Sequence, residues 1–361
     1  MTAKSKKSAP IEASPRSLPA KTRALFACVV IFVIIASLEI TLRALSLDLY
    51  QENQFFPQNR DINFVEVYDK DHNLFWRLKG NVETDSQEFG ALTYRTNSLG
   101  FRETEIPPKS KKVRVIALGN SCTFGWGVLR SKTYVSQLRQ LMPGIEAFNC
   151  GVPGYSSHQG LILLKREILA LEPDILLIMF GWNDHWPAGK GIPDNEQSMP
   201  PQWILTTQNL LANSRLFQAI RKVSLSLLES NSDRPRLDQR SGLRRVGPVD
   251  FKNNLARMIQ IAAENDVSVA LIVPPIPSLK NYFSGKTISA FHDLHERYQN
   301  AVIEVAAETG VPLVNLQIPF DRRSDLYDDA YADGIHFNAA GHRVAAQEIS
   351  QLLDSIMKMT H

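Results

Sequence analysis

Cysteine is scarce, with Cys28, Cys122 and Cys150 as the only three in 361 residues. Cys28 falls inside a long apolar run. Cys122 with Cys150 is then the one pairing to consider, and it forms only if the loops carrying the two residues meet. A charge imbalance is missing too. The formal net charge is +3, and the basic excess is confined to the start of the chain. There Lys4, Lys6, Lys7, Arg16, Lys21 and Arg23 face only Glu12. That leaves about −2 for everything after residue 23, so no nucleic-acid partner is inferred. Internal repeats are absent as well. What is present, 44% hydrophobic and 21% charged residues, suits a globular protein with a sizeable core, as one large domain or two ordinary ones.

The first 23 residues are rich in Ser, Pro and Lys and are expected to form a disordered cytoplasmic tail. Residues 24–47 read as a transmembrane anchor. Ala24 to Leu38 carries no charge, and the run continues to Leu47 with only Glu39, Thr41, Arg43 and Ser46 as interruptions. At 1.5 Å per residue this gives about 36 Å of helix, enough to cross a bilayer. Glu39 and Arg43 are one helical turn apart and can pair near an interface. The basic flank predicts a cytoplasmic amino terminus and a periplasmic or otherwise extracytoplasmic remainder, anchored in the inner membrane. Two other readings stay open: a signal peptide cleaved at Ala44-Leu45-Ser46, and a buried soluble helix.

Residues 48–110 are punctuated and dotted with aromatics, and read as a membrane-proximal region of short strands. Asn97 to Gly100 suits a turn, with Phe101-Arg102 packing it against the domain after it. From 111 to 361 strands alternate with helices. Strands are expected at 113–118, 145–148, 174–180, 267–273 and 311–315. Helices are expected at about 131–141, 158–171, 249–264, 287–308 and 339–357. This alternation predicts an α/β fold, a parallel sheet with helices on both faces. An insertion at about 185–247 breaks the rhythm. It holds one expected helix (210–228) and an Arg-rich stretch (233–245), and reads as a lid or a solvated loop.

The stretch Val113 to Val128 organises the rest. An apolar strand runs into Gly119-Asn120-Ser121, so Ser121 sits at a strand's carboxyl end, where open α/β sheets bind ligands. A serine hydroxyl needs a histidine to take its proton and an acid to orient that histidine. Of eight histidines, His336 in Asp333-Gly334-Ile335-His336 follows the last strand and precedes the last helix. Its neighbour Asp333 is spaced to hold one ring nitrogen. His185 is the other histidine with a suggestive neighbour, Asp184. Gly151 brings a backbone N–H without a side chain, and Asn183 a neutral amide donor, each at another strand's end.

In this order the four blocks resemble the SGNH/GDSL hydrolase superfamily. Gly119-Asn120-Ser121 with Thr123 and Gly125 is similar to the first block. Asn149 to Gly154 resembles the second, Gly181-Trp182-Asn183-Asp184 the third, and Asp333 with His336 the last. Asn97 to Arg102 also resembles a segment of bacterial membrane-anchored members. The resemblance implies a flavodoxin-like sheet with Ser121 as nucleophile, His336 as base and acid, and Asp333 orienting it. It further implies an oxyanion hole from the Ser121 and Gly151 amides and the Asn183 side chain, with no metal or organic cofactor. Asn120 stands where the family usually has Asp.

The function so implied is a membrane-anchored esterase using an acyl-Ser121 intermediate on O-acylated envelope or exported polysaccharide. Asn120, Trp182 and Trp126 are the expected substrate-lining residues, the two indole rings suited to stacking on a sugar. An O-acyltransferase with the same triad and a non-catalytic tethered binding or assembly protein are the alternatives.

Overall fold

The computed structural model describes residues 19–47, 49, 67–86, 92–230, 242–277, 286–329 and 333–359. Most of the expected cytoplasmic tail lies outside them. Helix α1 (Ala20–Ala44) has no buried residue and is long and apolar enough to cross a membrane. A helix buried in a soluble core would be covered, so that reading is removed.

Four short strands come next. β1 (Tyr68–Asp71) pairs with β2 (Phe75–Leu78), and β3 (Glu83–Ser86) with β4 (Leu92–Arg95), both antiparallel. They are the short strands expected here, but they do not form a separate region. Leu74, Trp76, Tyr94 and Phe101 share one core with Ile116 and Ile178 of the main sheet. Trp76 Nε1 donates to Pro153 O at 3.3 Å, and Tyr155 Oη donates to Trp76 O at 2.7 Å. The expected turn forms because Asn97 Oδ1 accepts the N–H groups of Leu99 and Phe101.

The central sheet is built from β5 (Val113–Gly119), β6 (Ile145–Asn149), β7 (Ile175–Met179), β8 (Ser268–Val273) and β9 (Leu313–Asn315). All neighbours are parallel, in the order β6-β5-β7-β8-β9. The second strand in the chain lies on one side of the first and the third on the other. A crevice therefore opens at the carboxyl ends of β5 and β7. Strand side chains alternate between faces. Ile116 and Leu118 enter one core with Leu176 and Ile178, while Val115 and Ala117 enter a second with Leu177 and Met179. The apolar run at the heart of the sequence is thus a strand buried on both sides.

Helices fill the intervals between strands. α2 (Ser121–Phe124) and α3 (Tyr134–Leu141) follow β5. α4 (Ser157–Leu163) follows β6 and is continued by a π turn to Ile168 and a 3-10 turn to Leu171. After β7 come α5 (Gln202–Leu211) and α6 (Arg215–Ser230), and α7 (Pro248–Ala263) leads into β8. α8 (Lys286–Thr309) and α9 (Gln317–Phe320) flank β9. The chain closes with the hairpin β10 (Tyr327–Asp329) and β11 (Asp333–Phe337), then α10 (Ala339–Met359).

The insertion departs from expectation. Instead of one helix over 210–228 there are two, because Ser214 caps a new start: its Oγ accepts the Phe217 N–H at 3.2 Å. The first of the two, α5, docks on β1, where the Asn209 side chain bonds both Lys70 N and Lys70 O. The end of the Arg-rich stretch is no solvated loop either. Arg245 is 5% exposed, pairs with Asp194 at 2.7 Å and donates to Gly154 O. Residues 231–241 lie outside the described residues.

Helices α1 and α6 belong to a second compact unit, made of residues 1–51 and 211–232. The pair foreseen between Glu39 and Arg43 forms at 2.7 Å.

Candidate active site

Strand β5 delivers Ser121 to the sheet edge. Asn120, in extended conformation, caps α2 by accepting the Cys122 N–H on Oδ1 at 3.0 Å. Asparagine thereby fills the cap that the usual Asp would fill, without its charge. Its Nδ2 is buried with no partner among the described residues. Ser121 is the first residue of α2, and the first N–H groups of a helix lack an intrahelical acceptor. Gly125 ends the turn at φ 83°, a left-handed conformation that glycine adopts without a Cβ clash.

Sequence reasoning placed Arg102 only as a packing residue, and it does more than that. Its guanidinium is buried and donates to Gly125 O at 2.6 Å and Val128 O at 2.7 Å, holding the loop that comes after the serine. The neighbouring Glu103 is buried between Arg130 (3.2 Å) and Arg139 (2.9 Å) and accepts the Asn149 N–H. The one sequence signal for this pair is two adjacent opposite charges directly after a turn that ends in an apolar residue. Arg102→Ala leaves these buried carbonyls without their donor and is expected to cost about 2–3 kcal/mol. Urea unfolding measures it, and an unchanged midpoint would mean the guanidinium is not holding this loop.

His336 lies within β11, not in a loop, and its Nε2 is 2.8 Å from Ser121 Oγ. A short hairpin fixes a ring more tightly than a loop does. The turn beyond it is tied by Asn338, whose Nδ2 donates to Asp325 O and Tyr327 O while Oδ1 accepts from Ala340 and Gly341. The Trp126 ring stacks on the His336 ring at 5.7 Å and 23°. Asp333 is the first residue of β11. Its side chain lies outside the described residues.

Gly151 follows β6 at the neighbouring edge. A Cβ there would meet Phe124 N and approach the Thr123 carbonyl carbon at 2.8 Å, so only glycine lets this loop close on α2. Its N–H donates to Asn149 Oδ1 at 3.0 Å, and Asn149 Nδ2 in turn donates to Thr123 O at 2.7 Å. An oxyanion at this point has to share the Gly151 N–H with Asn149. Asn183 follows β7, 8% exposed, with Oδ1 buried and unpartnered among the described residues. Asp184 fixes the turn by accepting Gly181 N at 3.0 Å and Ser157 N at 2.8 Å. Burial pushes its carboxyl up to about 6, against the hydrogen bonds from Ser157.

Two expected lining residues turn inward. Trp182 is 1% exposed and stacks on His295 at 3.8 Å, and Asn120 is also 1% exposed. Trp126 alone of the three is half-buried. His185 meets His295 at 3.2 Å, and burial holds it down to about 4, so it is a neutral packing partner near neutral pH. Cys122 and Cys150 are both buried free thiols.

His342, on α10 behind the hairpin, gives the site's support a pH dependence. Its Nδ1 accepts the Tyr134 N–H at 3.2 Å, and burial lowers its pKa from 6.5 to about 3. The unfolded chain binds a proton near 6.5 that the fold refuses until about 3. Stability is therefore full above 6.5 and falls by about 1.4 kcal/mol per unit as pH drops through that window. Between pH 7 and 5, His342→Gln is expected to lose about 2 kcal/mol less than wild type in denaturant titrations. Equal losses would show that His342 is protonated in the fold.

A model of the GDSL-like lipase/acylhydrolase family matches residues 117–344, which include every residue of the site described above except the supports from 97 to 116. The GDSL esterase/lipase CPRD49 of Arabidopsis thaliana is 21% identical over 238 residues, 63% of this chain and 72% of that protein. Among solved structures, the psychrotrophic esterase EstA from Pseudoalteromonas sp. is 15% identical with a TM-score of 0.43, covering 68% of this chain and 100% of that one. A lipase/acylhydrolase from Enterococcus faecalis is 20% identical with a TM-score of 0.40, covering 66% and 93%.

Proposed function

The chain belongs to the GDSL-like lipase/acylhydrolase family, and from that premise we propose that it is a membrane-anchored esterase acting through Ser121 on O-acylated carbohydrate outside the cytoplasm. The observation that carries the reading is the 2.8 Å contact of His336 Nε2 with Ser121 Oγ at the sheet's crevice. Ser121 Oγ attacks the ester carbonyl as His336 Nε2 takes its proton. The imidazolium then protonates the leaving alkoxide, leaving an acyl-Ser121 ester. Water attacks next, again giving its proton to His336, and Ser121 is released with the free acid. The Ser121 N–H, Asn183 Nδ2 and, once drawn from Asn149, the Gly151 N–H stabilise the tetrahedral oxyanion. Asp333 orients the imidazole from the start of β11.

Residues 24–47 are proposed as the anchor and 1–23 as a cytoplasmic tail, since the basic residues precede the apolar run. The hydrolase unit then begins within residues 48–110, since Tyr68, Phe75, Trp76, Tyr94 and Phe101 lie in its core. Trp126 supports a carbohydrate substrate: a half-buried indole beside the general base is the kind of ring against which sugars pack.

Acetate release from O-acetylated xylan by the full-length protein in detergent tests the substrate class, with a small aryl ester in parallel. Release from both that Ser121→Ala abolishes is the expected outcome. Hydrolysis of the aryl ester alone would sink the carbohydrate reading and leave the esterase standing. Transfer of acetyl to an added acceptor sugar in preference to water would make the protein an acyltransferase.

A further inference from the structure

We infer that α6 is a membrane-surface helix, lying along the lipid headgroups with its start fixed to α1. The inference rests on the proposal that α1 crosses the bilayer. Its own support is the way the two helices are joined and the pattern along α6.

The joint is polar and fully specified. Oxygens of the Glu39 carboxylate accept the Arg215 N–H at 3.0 Å, the Leu216 N–H at 2.9 Å and the Ser214 hydroxyl at 2.9 Å. Arg43 binds Glu39 and also donates to Asn213 O at 2.9 Å. A side chain of α1 therefore caps α6 across 175 positions of sequence. Glu39 comes about 24 Å beyond Arg23 along α1 at 1.5 Å per residue, close to the thickness of a hydrocarbon core. A charged carboxylate is tolerated at that depth when its oxygens are occupied, and the first turn of α6 occupies them. The start of α6 is thereby set at the level of the bilayer edge.

From that start the helix cannot cross. It has 16 residues, including Arg215, Arg221 and Lys222, too short and too charged to span. At 100° per residue, Leu216, Ile220, Val223 and Leu227 fall within a stripe of about 60°. Arg215, Gln218, Arg221 and Lys222 fall on the opposite half, together with Leu225, Leu228 and Glu229. Ile220, Val223 and Leu227 are 57%, 59% and 60% exposed. An apolar stripe left open beside an apolar helix with no buried residue, with cations behind it, matches a helix lying in the headgroup–acyl boundary of an anionic membrane. The occupant of the stripe is then lipid. The segment read from sequence as a lid or a solvated loop is in this part a second membrane contact, made by a helix inserted within the hydrolase sequence itself.

Environment-sensitive labels on the full-length protein test this. Single cysteines replace Val223, Lys222 or Val30 in a Cys28→Ser background, Cys122 and Cys150 being buried. Each protein is labelled with a fluorophore and reconstituted into phosphatidylethanolamine–phosphatidylglycerol vesicles. Quenching by lipids carrying a shallow nitroxide is compared with quenching by aqueous iodide. The inference expects the label at Val223 to be quenched by the nitroxide lipid several-fold more than the label at Lys222, with iodide showing the reverse order. Equal iodide quenching at both positions would overturn it. So would shielding of Val223 from both quenchers, which would make the stripe a protein contact. Deep-nitroxide quenching at Val30 reports the anchor separately. If Val30 is lipid-quenched and Val223 is not, only the surface helix fails; if neither is, the anchor falls and the inference with it.

Discussion

Ser121→Ala and His336→Ala are each expected to lower kcat on a small ester by roughly 10⁴- to 10⁶-fold, and the double variant to lose no more than the worse single. The reason is that the two side chains perform one act. At 2.8 Å, Nε2 is placed to take the Ser121 proton as the Oγ–carbon bond forms. Without the base the hydroxyl is a poor nucleophile, and without the hydroxyl the base has nothing to activate. What survives either loss is the contribution of the oxyanion donors and of substrate binding, which both singles and the double retain. Steady-state kinetics on the three variants decide it. Multiplicative losses in the double variant would mean the residues act independently, and the contact in the structure would then be incidental to chemistry.

Asn183→Ala should lower kcat by about 10²- to 10³-fold with KM little changed. Its amide is held on the turn that Asp184 fixes from below through Gly181 N and Ser157 N, so the donor is positioned before substrate arrives. A donor aimed at the oxyanion gains strength only as negative charge develops, and its loss therefore appears in kcat. Asn183→Asp is isosteric but sets a carboxylate against the same oxyanion, and it should be at least as impaired as alanine. If Asn183→Ala raised KM and spared kcat, the residue would be a ground-state binding group, and the oxyanion would depend on the Ser121 and Gly151 amides alone.

Much of the sheet and the order of its loops is legible in the sequence alone. Apolar runs such as Ile175–Met179 admit few alternatives to a buried strand, and each is bounded by turn residues. The candidate site is legible because the proposed chemistry needs uncommon residues at strand ends: a glycine that tolerates a backbone at contact distance, and an amide beside an acid. What stays hidden depends on long-range partners. Nothing local distinguishes Trp182, which faces the core and His295, from Trp126, which stacks on His336. Both flank motif blocks. Arg102 is visible as a charge after a turn, but its acceptors lie 22 to 26 residues away in a loop of no distinctive composition. The break at Ser214 carries a legible cap signal. The continuous helical pattern on either side masks it, and its real partner, Glu39, stands in the apolar segment at the start of the chain. Glu39 itself looks like a blemish in a membrane span.

The central claim, that Ser121 is a nucleophile activated by His336, is tested most directly by a fluorophosphonate, which forms a covalent bond only with an activated serine. The full-length protein is treated in detergent, digested and analysed by mass spectrometry. The account predicts one phosphonylated site, on the peptide carrying Ser121, absent in Ser121→Ala and formed far more slowly in His336→Ala. An unlabelled wild-type protein, or equal labelling of Ser121→Ala, would contradict it.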